Sequence, residues 1–230
     1  FEMMEPPEDM RGMNPNEVMR YLISKRLGAE IDFIVKGIDQ EAGVVVASRN
    51  EAMTVRRRQF YFGQDREGNN ILYEGAVAEA RVTSVIRSGI FVELFGVETY
   101  IPATEVSYQR ILDCGKLYAV GQKVLVKILN IDRSQPKRIQ VSVSIKQTKK
   151  NPYDSIVEKY IPGNHYIGTV TMVDVNGVFV ALDGGVDCLC VYPVRGIPLI
   201  GSRVTVRIYK VNPDTKRITG DIVHTASMIE

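Results

Sequence analysis

The chain is poor in the residues on which most catalytic sites depend. It has only two histidines, His165 and His224, among its 230 residues. Neither is accompanied by a nucleophile and an orienting acid, so the sequence does not predict a histidine-based catalytic triad. It also contains no glycine-rich phosphate loop. We therefore expect a protein that is not an enzyme, with no catalytic residue and no cofactor.

Cysteine is almost as scarce. The three cysteines, Cys114, Cys188 and Cys190, are odd in number and form no CxxC pair. This pattern argues against a disulfide framework and against a zinc site. Cys188 and Cys190 would point to the same face of a strand, because side chains two residues apart do so. We interpret all three as small packing groups in a reducing cytoplasm, and we expect no bound metal.

Long apolar runs and a strong net charge are also missing. No run approaches the length of a membrane-spanning helix, so we expect no membrane partner. The net charge is only +2, but it is unevenly spread. Residues 75–147 carry ten Lys and Arg against six Asp and Glu, whereas residues 1–62 have a balance of −1 and residues 163–224 of +1. Residues 75–147 are therefore the best electrostatic candidate for binding a polyanion.

What the sequence does have is an internal repeat. The segments GAVAEARVTSVIRSGIFVELFG and GNHYIGTVTMVDVNGVFVALDG share a second glycine 14 residues after the first and a phenylalanine two residues later. Each alternates like a strand, turns at Ser-Gly or Asn-Gly, and continues as a second strand, which predicts a β-hairpin. The shared positions are Gly75, Gly89 and Phe91 in one copy and Gly163, Gly177 and Phe179 in the other.

A second pattern occurs three times, as GAEIDFIVKGID, GQKVLVKILNID and GSRVTVRIYKVN. An aspartate or asparagine follows the opening glycine after 11 positions, and a turn and another β-rich run come next. The opening glycines are Gly28, Gly121 and Gly201, and the acidic or amide residues are Asp39, Asp132 and Asn212. Both patterns together predict about five short strands per unit, which suits a small closed or partly open barrel.

The patterns divide the chain into three units. Residues 75–147 (the middle unit) and residues 163–224 (the last unit) are complete, whereas residues 1–62 (the first unit) hold only the second half. We expect the missing strands of the first unit to lie upstream of Phe1; the alternative is a degenerate unit.

Short helices are predicted between the strands. One runs from Pro15 to Lys25 with Asn14 as its N-cap, and another lies near Asp154 to Tyr160. Residues 49–62 are expected to be helical or extended. The side chains predicted to face the interior of the middle unit are Val77, Val82, Ile90, Val92, Val124, Val126 and Ile128.

These phrases resemble the S1 RNA-binding domain, a variant of the OB fold. The family pattern has a Gly-x-Phe-Val turn, a following aromatic residue, a Gly-x-x-Val-x-Val segment that ends at Asp, and an Arg-Ile strand. The middle unit matches at Gly75, Gly89, Phe91, Val92, Tyr100, Ile101, Gly121, Asp132, Arg138, Ile139 and Ser142. The resemblance implies an all-β chain of tandem five-stranded OB-fold barrels with short connecting helices.

The resemblance also implies a site. Phe91 and Phe179 match the aromatic that stacks on a base, and Tyr100 would complete the stacking platform of the middle unit. Arg81, Lys127 and Arg138 would contact phosphates. Asp132, and Arg217 at the position that matches Arg138, are further family positions in the predicted RNA-binding set. In the last unit Leu189 replaces Tyr100, so we predict the middle unit as the primary RNA surface.

The predicted partner is single-stranded RNA, bound without chemistry, and the resemblance allows the small (30S) ribosomal subunit as a second partner in the cytoplasm. The alternative hypothesis is a protein-interaction scaffold in which degenerate barrels recruit a partner. The incomplete aromatic set and the two close cysteines of residues 163–224 favour that role for the last unit. The sequence does not define the oligomeric state.

Overall fold

The computed structural model describes residues 12, 14–24, 26–136, 138–194 and 196–225. They form two compact structural units, which differ from the three repeat units of the sequence; from here on, the first and second unit are these structural units. The first comprises the described chain up to Pro102 together with Asp113–Thr148, and the second comprises Ala103–Leu112 together with the described chain from Lys149. Both units are built mainly of antiparallel strands, as the repeat predicts. None of the described helices is long and apolar enough to cross a membrane.

The first unit begins with helix α1, Pro15–Ser24. The side-chain oxygen of Asn14 accepts a hydrogen bond of 3.0 Å from the backbone N–H of Asn16, so Asn14 caps the helix as predicted. Proline at the first helical position has no N–H to leave unpaired, which is why it suits this place. The predicted helix end at Lys25 lies outside the described residues.

A hairpin and a second helix follow α1. Strands β1, Ile34–Asp39, and β2, Val44–Ser48, pair antiparallel. The Asp39 carboxylate accepts hydrogen bonds from two backbone N–H groups of the turn, at Glu41 and Ala42. Helix α2, Arg49–Tyr61, starts directly after β2, and the Ser48 hydroxyl caps it by accepting from the Glu51 N–H at 3.2 Å. Residues 1–62 thus contribute the two strands β1 and β2.

The middle repeat forms a five-stranded antiparallel sheet in the order β5-β4-β3-β6-β7. Its two end strands are joined by the Thr99 hydroxyl, which donates a hydrogen bond of 2.6 Å to the Val141 carbonyl. A 3-10 helix, Cys114–Lys116, lies between β5 and β6, and another, Lys146–Thr148, follows β7. The strands are β3, Val77–Ile86; β4, Gly89–Leu94; β5, Val97–Pro102; β6, Lys123–Asp132; and β7, Gln140–Ser144.

Six of the seven side chains predicted to face the interior of this barrel are buried. Val77 is the exception, since 55% of its surface is exposed, and the prediction for it is wrong. Side chains alternate along a strand, and the inward positions of β3 are Ala80 and Val82. Val77 therefore lies on the outward side of the same strand.

The N-terminal elements pack against this barrel within the first unit. Arg49, at the start of α2, forms a buried ion pair with Glu93 of β4. At the other end of α2 the Tyr61 hydroxyl donates a hydrogen bond of 2.9 Å to the Leu94 carbonyl. The Arg133 guanidinium donates to the carbonyl oxygens of Tyr61 and Leu72, at 2.7 and 2.6 Å. Helix α2 is thus fastened to the barrel at both ends.

The second unit contains the last repeat and three short helical segments. These are helix α3, Ala103–Val106; a 3-10 turn, Pro152–Ser155; and helix α4, Ile156–Lys159. The five strands close into a barrel in the order β10-β12-β11-β8-β9, because β10 and β12 pair in parallel. They are β8, His165–Asp174; β9, Gly177–Leu182; β10, Asp187–Val191; β11, Arg203–Asn212; and β12, Arg217–Thr225.

The repeat extends to irregularities of strand pairing. An extra residue in one strand shifts the register and increases the local twist. The pairing of the first strand of each complete barrel shifts seven to nine residues after the opening glycine, between Val82 and Ser84 and between Val170 and Met172. In the second pattern, the pairing of the first strand shifts at the same distance from the opening glycine in all three copies. The shifts lie between Val35 and Gly37, between Ile128 and Asn130, and between Ile208 and Lys210. The β1–β2 hairpin is therefore built like the corresponding part of the two barrels.

Candidate nucleic-acid interface

Phe91 and Tyr100 lie directly opposite each other on β4 and β5. Their ring centroids are 5.1 Å apart and the ring planes are inclined by 44°. The neighbours Ile90 and Ile101 are fully buried, so the alternation of the strands turns both aromatic rings to the outer face. In OB folds this face, formed by the second and third strands, binds oligonucleotides. The two predicted stacking residues are therefore brought together on the surface where stacking is expected.

The position of the Tyr100 ring depends on Gly89. A Cβ atom at Gly89 would lie 2.6 Å from both the ring edge and the hydroxyl of Tyr100, and would also clash with the Ile101 carbonyl. The ring crosses above this glycine, and its hydroxyl donates to the Ser88 carbonyl at 2.9 Å. Glycine in the Gly-x-Phe phrase thus makes room for the aromatic of the neighbouring strand.

Three of the other predicted residues lie on β6 and around the turn that follows it. Lys127 is half-buried on β6, where it pairs with Ser144 of β7. The Asp132 carboxylate accepts a hydrogen bond of 2.8 Å from the Ser134 N–H, and this bond lowers the pKa of Asp132. Arg138 is exposed just before β7. Asp132 therefore shapes the turn, while Lys127 and Arg138 contribute cationic groups.

Arg81 is placed differently. Its guanidinium donates a hydrogen bond of 2.5 Å to the Glu30 carbonyl and lies 3.8 Å from the Asp32 carboxylate. Only 20% of the side chain is exposed. These contacts direct the guanidinium toward residues 30–32, and the role of Arg81 as a phosphate contact stays a prediction.

In the last barrel, the residues around the position that corresponds to Phe91 are different. Phe179 on β9 pairs with Leu189 of β10, so no second aromatic ring stands opposite it. The Arg110 guanidinium carbon lies 4.4 Å from the centroid of the Phe179 ring. Arg217 is exposed at the start of β12, opposite Asn212. The second predicted stacking ring is thus covered by a cationic side chain.

Sequence reasoning missed Arg110, which lies in Ala103–Leu112. Its backbone N–H donates a hydrogen bond of 2.9 Å to the Asp187 carboxylate, and the Gln109 side-chain amide donates to the Leu182 carbonyl at 3.2 Å. Burial raises the pKa of Asp187, while the hydrogen bond and the charge of Arg110 oppose that rise. The one available signal was the length of the connection between Tyr100 and Gly121, and it does not say which residue reaches the last barrel.

The cysteines occupy packing positions. Cys188 and Cys190 are fully buried on the same side of β10, with their sulfur atoms 3.8 Å apart. The neighbouring Cys190 and burial raise the pKa of the Cys188 thiol. Among the described residues, no group of three or more His, Cys, Asp and Glu side chains is arranged to hold a metal ion.

Comparison with known proteins finds a family match for the middle repeat. Residues 72–144 match the family described as the S1 RNA binding domain. The small ribosomal subunit protein bS1 of Streptococcus pneumoniae is 27% identical over 228 residues, which cover 92% of this chain and 54% of that protein. This chain therefore spans about half the length of that relative.

Two further matches are shorter. The 4-hydroxy-3-methylbut-2-enyl diphosphate reductase of Clostridium acetobutylicum is 29% identical over 158 residues, or 65% of this chain and 24% of that enzyme. The solution structure of GSP13 from Bacillus subtilis is 25% identical, covers 39% of this chain and 70% of that chain, and superposes with a TM-score of 0.30.

Proposed function

We propose that this chain, whose residues 72–144 match the S1 RNA binding domain family, binds single-stranded RNA without catalysing a reaction on it. The observation that carries the proposal is the Phe91–Tyr100 pair on the outer face of β4 and β5. The half-buried Phe91 ring and the exposed Tyr100 ring, on adjacent strands, offer successive bases a stacking surface. Every base has a face that can stack. Lys127 and Arg138 of the same barrel are the proposed phosphate contacts.

The proposal favours single strands over duplexes for a physical reason. Bases in a duplex are stacked on one another, so their faces are not accessible to aromatic side chains. Stacking on Phe91 and Tyr100 requires bases that are already unstacked or that separate easily. A duplex of the same sequence should therefore compete poorly for this surface.

The similarity to small ribosomal subunit protein bS1 supports a place in translation. We propose that the partner is the small ribosomal subunit or messenger RNA bound to it, in the cytoplasm. Cosedimentation of this chain with purified 30S subunits through a sucrose cushion tests this part. Failure to sediment with the subunits would remove the ribosome from the proposal and leave RNA binding to be judged on its own.

The decisive experiment is fluorescence anisotropy with a labelled single-stranded RNA across a salt series. Wild type is compared with a Phe91→Ala/Tyr100→Ala double variant. Since each stacked base is worth roughly 1–3 kcal/mol, the double variant should bind at least about ten-fold more weakly. Tyr73→Ala, which removes an aromatic side chain that is 60% exposed in the same unit, is the matched control and should bind like wild type.

Two outcomes of this experiment would contradict the proposal. If wild type does not bind RNA even at low salt, the RNA proposal is wrong. If it binds and the double variant binds equally well, the site lies elsewhere on the chain. Binding that weakens with salt in both proteins, but from a lower starting affinity in the variant, would separate phosphate contacts from stacking.

One observation favours the scaffold function as a second candidate. Val191, Val194, Ile197, Leu199 and Ile200, from a ten-residue stretch of the second unit, are all more than half exposed. Large exposed apolar patches mark interaction sites on monomeric proteins, so this cluster in the sequence favours a partner surface. A Val194→Ser/Leu199→Ser variant should keep the RNA affinity of wild type and lose a protein partner if this candidate is correct.

A further inference from the structure

The Phe179 ring of the last barrel occupies the repeat position of Phe91. In the middle barrel, Tyr100 stands across from Phe91 as a second stacking ring. In the last barrel, the residue across from Phe179 is Leu189, and the Arg110 guanidinium lies over the Phe179 ring at 4.4 Å. A planar guanidinium over an aromatic face takes the space that a stacked base would need.

Arg110 is held in place by several groups of the last barrel. Its backbone N–H is bound by the Asp187 carboxylate at 2.9 Å, and its guanidinium lies 3.3 Å from the Met172 sulfur. The preceding residue, Gln109, donates its side-chain amide to the Leu182 carbonyl at 3.2 Å. The cover over Phe179 is therefore anchored by both the backbone and the side chains of residues 109 and 110.

We propose that Arg110 is a built-in occupant of a base-stacking position at Phe179, which single-stranded RNA must displace before a base can bind the last barrel. The inference rests on the proposed function, because it takes single-stranded RNA as the ligand. It adds a second nucleotide position on the chain and a residue that keeps this position closed.

The exchange is energetically reasonable. A cation–π contact at a partly exposed site is generally weaker than the stacking of a base on an aromatic ring. Only the Arg110 side chain has to leave, since the hydrogen bond from its backbone N–H to Asp187 does not involve the guanidinium. The covered position is thus weaker than an open one but remains usable by RNA.

The proposal predicts that removing the Arg110 side chain changes the RNA affinity in the direction opposite to that expected from loss of a positive charge. Arg110→Ala removes a positive charge, and loss of a charge should weaken RNA binding if the residue only attracts phosphates. If Arg110 instead covers Phe179, Arg110→Ala should bind a single-stranded RNA long enough to reach both barrels about five-fold more tightly or better. Lys210→Ala removes a charge from an exposed position of the same unit and should show no such gain.

The test uses fluorescence anisotropy of the full chain with a labelled oligouridylate, for wild type, Arg110→Ala, Lys210→Ala and Arg110→Ala/Phe179→Ala. The gain should disappear in the double variant, because it depends on the uncovered ring. Ultraviolet crosslinking followed by mass spectrometry should place RNA on the peptide that contains Phe179 more strongly in Arg110→Ala than in wild type.

Each contrary outcome has a distinct meaning. If wild type binds RNA and Arg110→Ala binds no more tightly, the covering role is wrong while the proposed function stands. A gain that persists in the double variant also overturns it, because Phe179 is then not the position uncovered. If neither wild type nor Arg110→Ala binds RNA, the proposed function fails and this inference fails with it.

Discussion

The guanidinium of Arg49 and the carboxylate of Glu93 form an ion pair in which only 1% and 8% of the two side chains are exposed. It joins the first residue of α2 to β4, the strand that carries Phe91. A buried charge without its partner is strongly unfavourable, whereas a matched pair of apolar replacements is often tolerated. The pair is therefore a sensitive probe of how α2 supports the barrel.

We expect Arg49→Met to lower the free energy of unfolding of the first unit by about 3–5 kcal/mol, because Glu93 is left buried and uncompensated. The double variant Arg49→Met/Glu93→Leu should recover most of this loss. Differential scanning calorimetry of the three proteins measures both effects. Equal destabilisation by the single and the double variant would show that packing of the Arg49 chain matters more than its charge.

Gly89→Ala should affect stability and RNA binding together. The added methyl group would meet the Ile101 carbonyl and the Tyr100 ring, so either the strand or the ring must move. We expect a loss of about 1–3 kcal/mol in the free energy of unfolding, and weaker RNA binding because the ring is displaced. Urea denaturation and RNA titration provide the two measurements.

The matched control for that substitution is Gly37→Ala on β1, where a Cβ atom would meet nothing within 4 Å. It should change the free energy of unfolding by less than about 0.5 kcal/mol. An equally large loss in the control would mean that the effect at Gly89 comes from the glycine backbone itself and not from the contact with Tyr100.

Asp187 should give the last barrel an unusual dependence on pH. Burial raises its folded-state pKa above the ordinary value of 3.8, so the folded chain holds a proton over a pH range in which the unfolded chain has released it. Stability therefore falls as pH rises through this range. The melting temperature of wild type, relative to that of Asp187→Asn, should therefore fall as the pH is raised from below 3.8 to neutrality.

Asp183 is the control of opposite sign. Its hydrogen bonds with Arg203 lower its pKa below 3.8, so its contribution is present above that value and is lost as pH falls through the folded pKa. Relative to Asp183→Asn, wild type should gain melting temperature as pH rises through the same region. If the difference in melting temperature between wild type and variant changed with pH in the same direction for Asp187→Asn and Asp183→Asn, the pKa directions assigned to the two carboxylates would be contradicted.

The buried thiols should be unreactive in the folded protein. Cys114, Cys188 and Cys190 each have no exposed surface, and burial contributes to a raised pKa for the Cys114 and Cys188 thiols. Since the thiolate is the reactive form, labelling by a thiol reagent should be about a hundred-fold slower or more than in urea. An engineered Ser134→Cys, at an exposed turn, should react quickly in the folded protein and report on the reagent.

The repeat in the sequence was enough to predict the strands and to single out Phe91 and Tyr100, which the structure places side by side on neighbouring strands. The Gly-x-Phe spacing places Phe91 on an outward position, and the matching of Tyr100 to the family aromatic puts the two rings on neighbouring strands. Such patterns are local, and strand alternation converts them directly into faces. Val77 shows the limit of this reasoning, because its hydrophobicity suggested the interior while its place in the alternation put it outside.

The contacts of Arg81 and Arg110 could not be predicted in the same way. Arg81 meets Glu30 and Arg110 meets Asp187, pairs separated by 51 and 77 positions in the sequence. No periodicity relates such residues, since their proximity depends on how loops and termini pack on a finished barrel. The sequence therefore predicts candidate RNA-binding positions better than it predicts which of those side chains already contact other residues of the chain.

The two barrels also differ in how the two end strands of each sheet are joined. Four pairs of residues along β10 and β12 form a parallel ladder in the last barrel, whereas the Thr99 hydroxyl spans the corresponding gap between β5 and β7. Opening the middle barrel there breaks a side-chain contact but leaves every strand ladder intact. We expect the backbone amides of β5 and β7 along this gap to exchange with deuterium sooner than those of β10 and β12. We also expect the circumference of the middle barrel to adjust more readily when a ligand contacts β4 and β5.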